Sequence, residues 1–407
     1  MSDIPPMLDH PARPRWSVQT QLVHDGLDRS GFGETAEALY LTSGYVYESA
    51  EQAADRFSGE DEGYIYSRYG NPTVAMFEDR LAAYEGTERC VALSSGMAAM
   101  YAALACQLRA GDHIVASRAL FGSCLQVITS LLPRHGITYT LVDGTDLSAW
   151  EAAVKPQTRV FFCETPANPT LALVDIAAVG AIARAAGVCF VVDNAFASPA
   201  VQRAAPQGAD VVTYSATKHI DGQGRCLGGA VCCSEAFYEE HLQFFVRHTG
   251  PSLSPFNAWT LAKSLETLDL RVSQMARNAA TIAGFLETHP DVERVSYPGL
   301  PSHPQHALAG QQMTSGGTLV AFQVRGGQPS AFRAINDLNL IRISNNLGDS
   351  KSMVTHPATT THRVLSDEER WSVGITNNLV RLSVGLELAE DLITDLDQAL
   401  NRAQREG

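Results

Sequence analysis

Three short stretches place reactive side chains directly after apolar runs. Val91-Ala92-Leu93 is followed by Ser94-Ser95-Gly96-Met97. Small residues where a strand turns into a helix leave backbone N–H groups free at the positive helix terminus, which suits a phosphate; the same serines would also serve as an ordinary helix cap. The apolar run 188–192 ends in Asp193-Asn194, and a carboxylate there can cap a helix or face a ligand. The run 211–214 ends in Ser215-Ala216-Thr217-Lys218-His219. Lys218 is either a solvated loop residue or a desolvated one, and desolvation would free its amine to attack a carbonyl. Gly222-Gln223-Gly224 and Gly228-Gly229 follow, and glycine lets backbone approach a ligand closely.

The elements that must position these groups read as an α/β protein. Strand-sized apolar runs occur at 89–93, 113–117, 137–142, 159–163, 188–193, 210–215 and 230–233, with Ala-rich helical stretches such as 97–108 and 177–186 between them. Continuous apolar strands separated by helices predict a large, mostly parallel sheet covered on both faces. A helical stretch over 255–287 should connect this domain to a smaller C-terminal α+β domain. That domain has strands at 318–324, 340–343 and 379–384, and a closing helix whose stripe is Leu388, Leu392, Leu396 and Leu400. The expected divisions are 1–75, an arm contacting a neighbouring subunit; 76–260, the ligand-binding α/β domain; and 261–407. The arm is rich in Gly, Ser and Tyr, as in Tyr64-Ile65-Tyr66-Ser67-Arg68-Tyr69, and has no obvious core of its own.

Composition excludes other classes. With 45% hydrophobic and 18% charged residues, the chain is a packed globular protein rather than a disordered one. A net charge of −14 makes nucleic acid and anionic membranes poor partners, so any phosphate needs a local site. The apolar runs fall far short of the ~20 residues of a membrane helix. The first fifteen residues, with Pro5, Pro6, Pro11 and Pro14, read as a mobile arm without a secretory signal. The eight cysteines contain no CxxC pair, which argues against a metal or disulfide framework and for the reducing cytoplasm.

Ligands of open α/β sheets bind beyond the carboxyl ends of the strands, so the phosphate cradle, Asp193 and Lys218 fall on one edge. Pyridoxal phosphate requires this combination: an amine to bind its carbonyl, an acid for its ring nitrogen and an anchor for its phosphate. Tyr214-Ser215-Ala216-Thr217-Lys218-His219-Ile220, with Tyr66-Ser67-Arg68-Tyr69-Gly70-Asn71-Pro72-Thr73, Ser94-Ser95-Gly96-Met97-Ala98-Ala99 and Glu164-Thr165-Pro166-Ala167-Asn168-Pro169, resembles the Cys/Met-metabolism pyridoxal-phosphate enzymes, the cystathionine γ-synthase-like proteins of fold type I. The motifs match in order from about residue 17 onward. Within the family, 119–123 and 219–225 are most similar to the branch that replaces the acyl group of O-succinylhomoserine with sulfide.

The resemblance implies pyridoxal 5′-phosphate as cofactor. Lys218 would carry it covalently and shuttle protons, and Asp193 would pair with the ring nitrogen. Ser95, Gly96, Met97, Ser215 and Thr217 would hold the phosphate, and Tyr66 and Arg68 would reach the phosphate of a neighbouring subunit. Asn168 would lie near the ring hydroxyl. Arg381 would bind the substrate α-carboxylate, assisted by Ser344. Phe121 would stack on the ring; many relatives have a tyrosine there, and phenylalanine lacks its hydroxyl. His219 is expected to pack behind the site, and His356 and His362 to be structural.

The implied reaction is γ-replacement on O-succinylhomoserine by sulfide, giving homocysteine and succinate on the way to methionine, in a cytoplasmic homotetramer. Cysteine as nucleophile (cystathionine γ-synthase), an O-acetyl ester, or elimination (methionine γ-lyase) are the rivals within the family. Lys351 is a candidate second basic group, which keeps cysteine open as acceptor. A non-catalytic ligand-binding α/β protein is the rival outside it, disfavoured because no GxGxxG turn follows the early strands.

Overall fold

The computed structural model describes residues 16–405, so the expectation of a mobile arm over the first fifteen residues lies outside the described chain. The large sheet contains β1 (Arg89–Leu93), β2 (His113–Ser117), β3 (Thr138–Val142), β4 (Thr158–Glu164), β5 (Cys189–Asp193), β6 (Val211–Tyr214) and β7 (Gly229–Cys233). Their order is β1-β7-β6-β5-β4-β2-β3. Only β7 runs against its neighbours. In β4, Phe161 and Cys163 enter one core while Val160 and Phe162 enter the core on the opposite face. In β5, Phe190 and Val192 likewise oppose Val191. Alternate side chains point to opposite faces, so burial on both sides demands an unbroken apolar run.

The smaller sheet contains β8 (Val292–Ser296), β9 (Leu319–Val324), β10 (Arg342–Ile343), β11 (Met353–Thr355) and β12 (Leu379–Ser383), ordered β10-β11-β12-β9-β8. Val320, Phe322 and Val324 pack with Leu392, Leu396 and Leu400 of the helix Ala389–Arg405. Leu388, expected in that stripe, precedes the helix and is 64% exposed.

Several expectations need correction. The helical stretch 255–287 is two helices, Pro255–Leu265 and Leu268–Thr288. Arg271 explains what the break achieves. Its guanidinium donates to Ser264 O at the break, and to His219 O at 2.9 Å and Ile220 O at 3.2 Å. The segment 16–75, expected as an arm with no core of its own, contains the helices Val18–His24 and Ala50–Ser58 and the start of Pro72–Glu85. β8 and β11 were not anticipated: β8 is half polar and β11 has three residues, too few to show a period.

A buried polar chain lies beneath the sheet edge. Tyr214 Oη donates to Glu85 Oε2 at 2.5 Å, and Asn194 Nδ2 donates to Tyr214 Oη at 2.7 Å. Gln202 Nε2 donates to Asn194 Oδ1 and Thr165 O, and Gln312 Nε2 donates to Gln202 Oε1. Glu85 Oε1 accepts from Ala205 N.

Candidate active site

Three strand ends and one helix start converge. Ser95 caps the helix Gly96–Ala105, its hydroxyl accepting from Ala98 N at 3.1 Å. Ser95 is thus the helix cap that the sequence allows, and it also lines a cavity. Two glycines make the turn compact. A Cβ on Gly96 would sit 2.6 Å from Ser215 Cβ, and one on Gly229 would sit 2.0 Å from Ser95 O. The first amides of this helix lack intrahelical partners, and the helix dipole is positive there.

The cavity above the turn has a volume of about 240 Å³. Ser95, Gly96, Met97, Phe121, Asn168, Asp193, Ser215, Thr217, Lys218 and Arg381 all line it. Ser344 does not. Its hydroxyl instead accepts from Asn346 N at 3.2 Å. Tyr66 and Arg68 also lie outside this chain's cavity; Arg68 stacks over Tyr66 and Tyr69 and donates to Arg247 O. Lys351 is 65% exposed and paired with Asp349 at 2.8 Å.

The electrostatics are set by burial. Desolvation, then the nearby Arg381 charge, lowers the Lys218 amine to about 8. Its Nζ donates to Asn346 Oδ1 at 2.5 Å. Desolvation raises Asp193 to about 6, although its Oδ1 accepts from Ala195 N. Glu164, opposite Asp193 in the β4–β5 register, is raised too, by burial and then by the Asp193 charge. Glu164 Oε2 accepts from Phe121 N at 2.5 Å, which fixes the wall residue Phe121.

Arg381 is buried in the middle of β12. Its Nη1 donates to Asn168 Oδ1 at 3.0 Å, and its Nη2 donates to Asn345 O and Asn346 O. Its Nε has no partner. His219 is buried, bonded through Nε2 to Thr318 Oγ1 at 2.7 Å, and burial lowers it to about 4, so it stays neutral. His356 binds Thr359 Oγ1 and Asn377 O; His362 contacts Thr361 Oγ1 and is held near 4 by burial.

Sequence reasoning missed part of the lining. Glu164 ends β4, and applying the strand-end rule to every strand would have found it. Phe196 follows Asp193 in the turn after β5, whereas Leu347 and Thr361 come from distant loops without a periodic signal. Asn346 was missed because Ser344, two residues earlier, was the expected helper.

The residues fit pyridoxal phosphate. Two adjacent carboxylates with pKa values pushed up by burial call for a cation, which a protonated ring nitrogen supplies. The helix start and the Ser215 and Thr217 hydroxyls suit a phosphate, and Lys218 is desolvated as a carbonyl-binding amine must be. Among the described residues no group of three or more His, Cys, Asp or Glu is placed to hold a metal.

Known proteins agree. The chain is 53% identical over 389 residues to an O-succinylhomoserine sulfhydrylase of Mycobacterium tuberculosis, covering 95% of this chain and 96% of that one. It is 48% identical over 384 residues to the Pseudomonas aeruginosa O-succinylhomoserine sulfhydrylase, covering 94% and 95%. The structure of an O-acetylhomoserine (thiol)-lyase from Campylobacter jejuni, which carries N′-pyridoxyl-lysine-5′-monophosphate, superposes with a TM-score of 0.91 at 32% identity, covering 95% of this chain and 100% of that one. The Cys/Met metabolism PLP-dependent enzyme family matches residues 19–401, and the chain belongs to that family.

Proposed function

We propose that the enzyme replaces the acyl group of O-succinylhomoserine with sulfide, releasing succinate and homocysteine. The observation that carries this reading is the identity of 53% and 48% to two O-succinylhomoserine sulfhydrylases over nearly the whole chain. The cavity is compatible with it. Sulfide needs no charged contacts of its own, and among the described lining residues Arg381 is the one guanidinium, suited to a single α-carboxylate.

In this reading each residue has a task. Pyridoxal phosphate would supply an electron sink for the substrate carbons. Asp193 would keep its ring nitrogen protonated. Ser95, Gly96, Met97, Ser215 and Thr217 would hold its phosphate. Arg381 orients the substrate, its Nη atoms held from behind by Asn168, Asn345 and Asn346 and its Nε free to donate. Lys218 Nζ, with a pKa near the working pH, takes the proton from substrate Cα and later returns one. Asn346 holds that amine in place, and Ser344 acts only through Asn346. Phe121 supplies a flat apolar wall and moves no proton.

We place Tyr66 and Arg68 at the phosphate of a neighbouring subunit, in a homotetramer of two active dimers. Exposed Phe32 (98%), Val46 (94%) and Leu41 (67%) in the same segment support a covering partner. All eight cysteines are free thiols, which supports a cytoplasmic enzyme. No described helix is long and apolar enough to cross a membrane.

Parallel initial rates with O-succinylhomoserine test the reading, with sulfide or cysteine as acceptor and homocysteine, cystathionine and 2-oxobutyrate measured separately. kcat/KM for sulfide should exceed that for cysteine at least about tenfold, or 1.4 kcal/mol. Cystathionine as the main product would make the enzyme a cystathionine γ-synthase; 2-oxobutyrate as the main product would make elimination its reaction. Protein that binds pyridoxal phosphate but turns over none of these esters would favour the non-catalytic rival.

A further inference from the structure

O-Succinylhomoserine carries two carboxylates, and the cavity of one chain offers a place for one. Its described lining residues include two cations, Lys218 and Arg381, against two acids, Asp193 and Glu164. Lys218 is the reacting amine and Arg381 serves the α-carboxylate. The remaining walls are apolar, as at Phe121, Phe196, Leu227 and Leu347, or polar but uncharged, as at Asn345 and Thr361, so no further cation of this lining meets the distal carboxylate of the succinyl group.

Elsewhere, Arg68 and Arg247 form no ion pair with a carboxylate among the described residues. Arg68 and Arg247 both stack on Tyr69, with guanidinium carbons 4.7 Å and 5.5 Å from the ring centre. Arg68 Nη1 donates to Arg247 O, which ties the helix Gln243–Thr249 to the segment that carries Tyr66. Arg247 Nε is buried without a partner. The carboxyl that shares their cleft, Glu78, is pushed up to about 8 by burial and is protonated at neutral pH. Two like charges on one ring without an acid between them are costly unless anions arrive. On the same helix Phe244 is 72% exposed, as on a face that meets another chain.

We propose that the partner's Arg247, carried with the partner's Arg68, binds the distal carboxylate of the succinyl ester. The pair then meets two anions: Arg68 the cofactor phosphate and Arg247 the succinyl carboxylate. Selectivity for succinyl over acetyl esters comes from this contact across the subunit boundary. The inference rests on the O-succinylhomoserine reading above and on Arg68 serving a neighbour.

The test compares parent, Arg247→Leu and Arg247→Lys holoenzymes on O-succinylhomoserine and O-acetylhomoserine, which lacks the distal carboxylate. Arg247→Leu should lower kcat/KM for the succinyl ester by about tenfold or more, mostly through KM, while the acetyl ester loses far less. Arg247→Lys should recover part of the loss. Equal loss on both esters, or no loss, overturns the proposal. Calorimetric binding of succinate to the holoenzyme is a readout independent of turnover, and should weaken in Arg247→Leu. If the parent turns over neither ester, the functional reading falls and calorimetry still decides on Arg247. Mixed Lys218→Ala and Arg247→Leu subunits should regain succinyl-ester turnover, since one hybrid site has both residues intact. No regain after demonstrated subunit exchange places Arg247 outside the site.

Discussion

Strands β5 and β6 each carry two polar systems side by side, and the two are finished differently. Asn194 and Tyr214 belong to the buried chain with Glu85, Gln202 and Gln312, where donors meet acceptors at 2.5–3.0 Å. Their immediate neighbours Asp193 and Ser215 face the cavity, where the Asp193 carboxylate has no cation and Arg381 Nε has no acceptor. Burial raises both Glu85 and Asp193. Satisfied groups hold the sheet edge in shape; unsatisfied ones on the same edge are left for a ligand.

The largest expected effect would break the cavity side of this contrast. Asp193→Asn should cost at least about a hundredfold in cofactor retention or kcat/KM, some 2.7 kcal/mol, because the ring nitrogen loses its acid. The same change should stabilise the apoprotein at pH 7. Asp193 has a folded pKa raised from 3.8 to about 6, so ionisation above that range costs folding energy that Asn avoids. Thermal melts of apo and holo protein, with absorbance of bound cofactor, read both arms. An apoprotein destabilised by Asp193→Asn would show that the carboxylate is structural, and the contrast would fail.

Glu85→Leu probes the other side. It strands Tyr214 Oη and Ala205 N, and should destabilise the protein by about 2 kcal/mol while leaving kcat/KM within about threefold. Glu85 also gives a pH signature. Its folded pKa is raised from 4.5 to about 7, so its contribution is fully present below 4.5 and is lost as pH rises through 7. Melting curves between pH 5 and 8 should therefore slope downward less in the variant. Activity loss without stability loss would show that the buried chain reaches the chemistry.

The smallest effect sharpens the boundary. Asn346→Ala removes the acceptor of Lys218 Nζ and should lower kcat about tenfold, 1.4 kcal/mol, with melting temperature nearly unchanged. Ser344→Ala should do less, since the Ser344 hydroxyl accepts from Asn346 N and does not reach Lys218. The reverse ranking would restore Ser344 as the direct helper.

How much was legible follows from locality. The strand tips bearing Asp193 and Lys218 could be read because each follows an apolar run buried on both faces. Glu164 obeys the same rule. Asn346 could not be separated from Ser344, because backbone geometry in that loop decides which side chain turns inward. The break at 266–267 left no mark in the apolar period, since no glycine or proline occupies it. The helices of the N-terminal segment were hidden for another reason. Ala50–Ser58 buries none of its residues within the chain, so no internal core shaped its pattern.

The bent connection between the domains has a mechanical consequence. Arg271, on the far side of that bend, grips the carbonyls of His219 and Ile220, just past Lys218. Gly222 is the fitted bearing of this linkage: with φ at +66°, a Cβ there would lie 1.8 Å from Arg271 Nη1. Arg381 rides on the smaller domain and Lys218 on the larger, so substrate grip and reacting amine sit on separate bodies. The Arg271 strut braces one body against the other beside the amine. Arg381 to Asn168 and Lys218 to Asn346 cross the same boundary, so the carboxylate grip and the amine that works on the neighbouring carbon are held in register by three contacts between the domains.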